Sequence, residues 1–359
     1  MCAITPSAKS VVKLSPALRP GFNRPVPALQ FHYREGGIYL PHLRLWLDPH
    51  RAKQELAFVS HAHSDHTARH REVILTAPTA RFMAERLGGK RTEHLLNFGE
   101  RKTFHAEGGV EFAITLLPAG HIFGSAMSFL EAGGESLLYT GDFKLRPGCA
   151  AEVCAPRRAD ALIMETTFGQ PRYQFPPVED VARDIVRFCH ETLAENKTAV
   201  LHAYSLGKSQ ELLGALRHAG LPLMLHPSVF TMTKLYEEFG HTFPAHENFD
   251  ATHARGKVII WPSSGSAETL ATAAGPMRRA VITGWALDSG CKYQNRCDAA
   301  FPLSDHADFP DLIEFVRQVQ PRRVFTLHGF AADFASTLRR LGFDARALSE
   351  DEQLELKLT

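Results

Sequence analysis

Residues 59–67 read Val-Ser-His-Ala-His-Ser-Asp-His-Thr, which places His61, His63, Asp65 and His66 within a single short turn. With this histidine content, such spacing would arise by chance in only about one chain in several hundred. The apolar run just before it (Leu56, Ala57, Phe58, Val59) reads as a buried strand. The four side chains then occupy the loop beyond the strand's carboxyl end, where open α/β sheets carry their sites. His61 and His63 can point to one side of an extended turn and share one cation, while Asp65 and His66 can turn toward a neighbouring one. A histidine-rich surface turn is the plain alternative.

The rest of the chain argues against that alternative. His121 follows the apolar strand Ile114–Leu117 in Pro-Ala-Gly-His, and Asp142 follows Leu137–Tyr139 in Tyr-Thr-Gly-Asp. In both, a glycine allows close backbone approach. Asp48 occupies the same kind of position after Leu45-Trp-Leu. Farther on, His306 in Leu-Ser-Asp-His-Ala-Asp and His328 in Phe-Thr-Leu-His-Gly repeat the arrangement, and Glu165 ends the strand Leu162–Met164. One such residue is an ordinary turn polar group. A series of them, each at a strand end, describes a hydrolytic metal centre.

Texture along the chain suggests how these segments are organised. Residues 1–30 hold five prolines and few periodic apolar positions, so they read as an irregular N-terminal arm. From Phe31 to Met164, short apolar runs such as Leu45–Leu47, Phe112–Leu117 and Met127–Leu130 alternate with glycine turns, with one helix expected at Pro78–Leu87. Beyond Met164 the pattern becomes strand–helix alternation. Helices are expected at Val178–Glu195 and Lys208–Ala219 around a strand at Thr198–Ala203, as in a parallel-sheet unit. A strand at Arg323–Leu327 lies between expected helices at Phe309–Gln318 and Ala331–Leu341.

Composition narrows the function classes. The chain has 359 residues with a net charge of +1, so no global field attracts polyanions and nucleic-acid binding would rely on local patches. No apolar run is long enough to span a bilayer, and no secretory signal is read at the N-terminus, so a cytoplasmic protein without membrane association is expected. Its six cysteines match neither a CxxC zinc clip nor a dense disulfide framework, which favours reduced thiols.

Taken together, His61-x-His63-x-Asp65-His66, His121 and Asp142 resemble the signature of the metallo-β-lactamase fold. Glu165, Ser304-Asp-His-Ala-Asp and Leu327-His-Gly resemble the additional motifs of its nucleic-acid-processing β-CASP branch. Glu165-Thr-Thr-Phe-Gly-Gln-Pro, Tyr204-Ser-Leu-Gly-Lys-Ser-Gln and Thr283-Gly-Trp are similar to the bacterial ligase-associated DNA damage response exonucleases. The resemblance runs from about Phe31 to Leu348. It implies an α/β metallo-β-lactamase αββα sandwich (31–172 and 298–359) with an inserted β-CASP α/β domain (173–297).

The resemblance also implies roles. His61, His63 and His121 would hold one divalent ion, and Asp65, His66 and His328 a second, with Asp142 bridging. Asp65 also counts among the catalytic residues. Zn²⁺ suits such a donor set, and Mn²⁺ or Fe²⁺ also fit. Asp48 would orient ligands or the attacking water, and His306, fixed by Glu165, would be the general acid. Separately, Ser205 and Lys208 sit at an expected helix start, where backbone amides attract phosphate. Among the basic residues, Lys292 and Arg296 fall between Thr283-Gly-Trp and His306, which makes them candidate DNA contacts. Trp285, beside a strand, fits a core position better than a stacking one.

The favoured expectation is a DNA exonuclease acting on single strands or ends in repair, with a repair ligase or helicase as the partner the family suggests. The same chemistry on RNA is the alternative, kept open by His328, since RNA-processing relatives carry histidine there. A non-catalytic scaffold would have eroded ligands, and none of the seven is eroded. A small-molecule thioester or lactam hydrolase would lack the insert of about 120 residues.

Overall fold

The computed structural model describes residues 29–106, 110–349 and 353–354. Most of the arm expected at 1–30 therefore lies outside the described residues. Two seven-stranded sheets and one six-stranded sheet make up the framework. The first runs, edge to edge, through Gln353–Leu354, Phe31–Arg34, Gly37–Leu40, Leu45–Leu47, Leu56–Phe58, Glu72–Leu75 and Thr92–Leu95. The second runs through Ala345–Ala347, Arg323–Leu327, Ala161–Glu165, Glu135–Tyr139, Ala126–Ala132, Glu111–Pro118 and Arg101–His105.

These two sheets stack face to face, and the residue pattern explains why their strands read as unbroken apolar runs. Leu45 and Leu47 enter the core between the sheets, whereas Trp46 enters a separate cluster on the outer face, against Phe82 and Met83 of the helix Ala77–Leu87. The second sheet divides in the same way. Leu137, Ile163, Phe325 and Leu327 point inward, while Leu138, Leu162 and Val324 pack on the helices Phe309–Val319 and Ala331–Arg340. Both faces of each sheet are covered, so alternation in burial disappears although alternation in direction remains. The result is a helix–sheet–sheet–helix sandwich.

The third sheet is ordered His246–Asn248, Leu223–Leu225, Val258–Trp261, Thr198–His202, Met277–Ile282, Ala299–Phe301, all parallel. Helices Val178–Ala194 and Lys208–Ala215 cover one face, and Ala267–Ala274 covers the other. Ala299–Phe301, just past the boundary expected at 297, pairs with Met277–Ile282 as the edge strand of this sheet. The inserted unit is not loosely tethered. Its helix Pro227–Glu238 sends Met232, Leu235 and Tyr236 into the cluster around Phe82. Two buried ion pairs, Lys144–Glu211 at 2.7 Å and Lys208–Asp305 at 2.5 Å, also cross to the sandwich.

The chain re-enters the sandwich at Asp308, a fully buried carboxylate. Its Oδ1 caps the helix Phe309–Val319 by accepting from the Asp311 amide at 3.0 Å. Its Oδ2 accepts from the Phe175 amide at 2.8 Å and from the Arg146 guanidinium. Asp308→Ala removes a cap and strands two donors, so urea denaturation should show a loss of about 2 to 4 kcal/mol.

Candidate metal centre

Every donor singled out in the sequence leaves the same edge of the sandwich. Glu135–Tyr139, Ala161–Glu165 and Arg323–Leu327 are parallel neighbours, which brings Asp142, Glu165 and His328 to one rim. Leu45–Leu47 and Leu56–Phe58, also parallel, deliver Asp48 and the His61–His66 turn to the facing rim. Local backbone geometry is unusual at several of these points. Asp48 (φ 43°) and His328 (φ 59°) adopt the left-handed conformation without being glycine, a cost tolerated where surrounding structure holds the residue in place. Gly141 (φ 54°) lies so close to Ser60 that a Cβ would stand 2.6 Å from that side chain.

Three imidazole nitrogens converge on one point. His63 Nδ1 lies 3.0 Å from His61 Nε2 and 3.1 Å from His121 Nε2. The opposite nitrogen of each ring faces an oxygen. His61 Nδ1 is 2.9 Å from Ser60 Oγ, His63 Nε2 is 3.0 Å from the Leu206 carbonyl, and His121 Nδ1 is 2.7 Å from the Asp305 carbonyl. Ser60 Oγ donates its own proton to Asp48 Oδ2 at 2.5 Å, so it is an acceptor toward His61. Each ring is thereby fixed with its proton on the outer nitrogen. The inner three present lone pairs to one another, and only a cation turns that mutual repulsion into attraction. Burial pushes His61 and His63 below the ordinary histidine range and His121 down to about 4, so these rings are neutral, as ligands must be. Asp142 completes the group, with Oδ2 at 3.6 Å from His61 Nε2 and 3.8 Å from His121 Nε2. The donor set fits a metal ion.

His66 lies alongside. Its Nδ1 donates to Asp48 Oδ2 at 2.9 Å, and its Nε2 faces Asp142 Oδ2 at 3.4 Å and Asp65 Oδ2 at 3.9 Å. The His328 ring centre is 6.2 Å from that of His66, a looser grouping than the first. Burial disfavours charge on His66, but the carboxylates of Asp142 and Asp48 outweigh it and raise its pKa well above the usual value. Asp48 itself is turned away from the cavity. Besides His66 and Ser60 Oγ, it accepts from the Ser60 amide at 2.7 Å and the Tyr139 hydroxyl at 2.9 Å. Through these bonds Asp48 orients His66 and Ser60, which is one of its two expected roles.

His306 and Glu165 meet as expected: His306 Nδ1 is 2.8 Å from Glu165 Oε1. Glu165 is anchored by the amides of Phe143 at 3.2 Å and Thr167 at 2.9 Å. Burial lowers the His306 pKa, yet the Glu165 carboxylate prevails and raises it to about 9. A cavity of about 570 Å³ opens onto the centre, lined by Asp65, His66, Asp142, His306 and His328 together with Tyr204, Ser205 and Trp285 of the inserted unit.

The expected substrate contacts fare unevenly. Ser205 lines the cavity. Lys208 does not: its ammonium is buried against Asp305 Oδ1 and the Leu303 carbonyl, so it is an internal counter-charge and no phosphate ligand. The helix start beside it is also occupied, because Gln210 Oε1 takes the Gly207 amide at 2.7 Å. Lys292 and Arg296 stand outside the cavity lining, on and after the short helix Cys291–Gln294, with the Lys292 ammonium 4.9 Å from the Tyr293 ring. Trp285, placed with the core from sequence, is 40% exposed and lines the cavity. Arg86 and His50 in the lining, and the Leu206 and Asp305 carbonyls behind the ligands, had no signal in the sequence, and Tyr204 stood only as part of a motif. Backbone carbonyls carry no side-chain signal, whereas the Ser-Asp-His motif did mark the neighbourhood of Asp305.

Comparison with known proteins agrees with this architecture. Residues 43–184 match the metallo-beta-lactamase superfamily, and residues 297–348 match the Zn-dependent metallo-hydrolase RNA specificity domain. The chain is 54% identical over 321 residues to an Opitutus terrae protein described as a probable DNA ligase, covering 89% of this chain and 31% of that one. It is 29% identical over 301 residues to the 5' exonuclease Apollo of Gallus gallus, covering 82% of this chain and 63% of that one. An RNase J-like protein of Methanocaldococcus jannaschii is 23% identical over 348 residues, covering 77% and 81% respectively. The chain thus spans about a third and under two thirds of the first two relatives. A crystal structure of a protein of unknown function from Enterococcus faecalis V583 shares the fold, with a TM-score of 0.56 at 14% identity over 84% of this chain and 81% of that one. The two family matches, toward either end of the chain, and the relatives aligned across the insert converge on one architecture: a metallo-β-lactamase fold with a β-CASP insertion.

Proposed function

We propose that the chain is a metal-dependent phosphodiesterase that degrades DNA from its ends in repair. The observation that carries this reading is the set of converging lone pairs on His61, His63 and His121, reached through His63 from a cavity that His306 lines with Glu165 behind it. His61, His63, His121 and Asp142 would hold one ion, and Asp65, His66 and His328, sharing Asp142, a second. The imidazole-rich set favours Zn²⁺ over Mn²⁺ or Fe²⁺. Ions held there would supply an activated water at neutral pH and stabilise charge on the phosphoryl oxygens.

The remaining work falls to the chain's own groups. The Ser60 hydroxyl and the Leu206 and Asp305 carbonyls keep the ligating nitrogens deprotonated and aimed. Asp48 holds the Nδ1 side of His66 and so turns its Nε2 toward Asp142. His306, protonated at neutral pH, delivers its Nε2 proton to the departing oxygen, while Glu165 holds Nδ1 and stabilises the imidazolium. Relatives named for a DNA ligase and a 5' exonuclease support DNA as substrate. The match to a domain described by RNA specificity favours RNA as the second reading. The ligase name also supports action beside a ligase, and the free cysteines of the described residues fit a reducing cytoplasm.

End-labelled single-stranded DNA and matching RNA, each with a 5′-phosphate or 5′-hydroxyl, should be incubated with the protein and Zn²⁺ or Mn²⁺. Stepwise shortening of DNA is expected, and activity on RNA alone would overturn the DNA reading. His63→Ala should abolish cleavage and lower bound metal measured by elemental analysis. In contrast, His306→Ala should slow cleavage by about 10² to 10⁴ with metal content intact. The His306 proton must be present for catalysis, so the rate should fall as pH rises through its pKa. Glu165→Gln, which removes the carboxylate that raises that pKa, should move this alkaline limb of the pH–rate profile to lower pH.

A further inference from the structure

A second cavity, of about 290 Å³, adjoins the hydrolytic one and shares Tyr204 and Trp285 with it. It sits at the carboxyl ends of three neighbouring parallel strands: Tyr204 follows Thr198–His202, Ser263 follows Val258–Trp261, and Thr283 and Trp285 follow Met277–Ile282. The helix after Thr198–His202 packs on one face of this sheet and the helix after Val258–Trp261 on the other. That reversal opens a crevice between adjacent strand ends, the usual ligand position in open α/β sheets.

The chemistry of the crevice is specific. Among the described residues its lining holds the Asp288 carboxylate and no lysine or arginine, so a phosphate would find no counter-charge there. What it offers is aromatic surface with neutral polar groups. Tyr204 is 74% exposed, and its ring meets no aromatic or cationic partner among the described residues. Trp285 is 40% exposed but firmly seated, with its ring centre 4.7 Å from that of Phe168 and 5.5 Å from that of Tyr173. Gly284 permits that seat, since a Cβ there would stand 2.4 Å from the Phe168 ring. Deeper in, His202 Nδ1 engages the Trp261 carbonyl at 3.2 Å, which leaves Nε2 as an acceptor, and Gln294 contributes an amide.

We propose that this cavity is a nucleobase subsite, in which Tyr204 and Trp285 stack on the base of a nucleotide next to the one being cleaved. The subsite rests on the nuclease reading and adds what that reading lacks, a grip on the strand that depends on a base and not on the backbone. Flat aromatic surfaces hold any base by stacking, and the amide and imidazole of the lining can meet its polar edge.

The test is equilibrium binding of a fluorescein-labelled, phosphorothioate-linked oligodeoxynucleotide to the Zn²⁺-loaded full chain. An abasic residue is moved one position at a time from the end of the strand. At one position the abasic strand should bind roughly tenfold or more weakly. Tyr204→Ala and Trp285→Ala should weaken binding of the intact strand by a similar factor and become indifferent to the abasic residue at that position, with metal content unchanged. Trp285→Phe, which keeps an aromatic ring on Phe168, should retain most of the affinity. Alanine variants that bind the intact strand as the wild type does, or that still sense the abasic position, overturn the subsite. Equal wild-type affinity for intact and abasic strands at every position also overturns the subsite and leaves the nuclease reading in place. Failure of the wild type to bind any strand removes the reading beneath it.

Discussion

Three imidazole lone pairs directed at one point are the constraint on which the rest of this structure depends. Such an arrangement is stable only if every ring is held in a single tautomer, and the acceptors that hold them come from distant parts of the chain. Ser60 belongs to the first sheet's rim, Leu206 to the inserted unit and Asp305 to the segment that re-enters the sandwich. The centre is therefore a product of the whole fold, although its ligands lie in short motifs.

The two buried ion pairs follow from the same requirement. Burying charges is unfavourable unless further hydrogen bonds complete them, and here they do. Glu211 also accepts from the amides of Cys149 and Ala150, and Lys208 also donates to the Leu303 carbonyl. Lys208 fixes Asp305 through its side chain, and the Asp305 carbonyl in turn fixes His121. Charge buried between the two units thus holds the metal-binding rim in register with the inserted sheet.

Much of this was legible in the sequence because strand ends leave a local signature: an apolar run, a glycine or small residue, then a donor. His61, His63, His121, Asp142 and His306 were found in that way. What escaped depended on contacts far apart in the chain. Lys208 looked like a phosphate ligand because nothing near it in sequence announces Asp305, 97 positions away. Lys292 and Arg296 were placed by their distance along the chain from His306, and the short helix carries them past the cavity. The sheet that Ala299–Phe301 joins was not legible either, because a short strand announces no partner. Trp285 was misjudged because exposure of an aromatic residue is a tertiary property.

The Lys144–Glu211 and Lys208–Asp305 pairs have one more consequence. Swinging the inserted unit away from the sandwich would strand four charges, at a cost of several kcal/mol for each pair broken. The two pairs therefore act as a latch that opposes separation of the inserted unit from the sandwich beside the metal-binding rim.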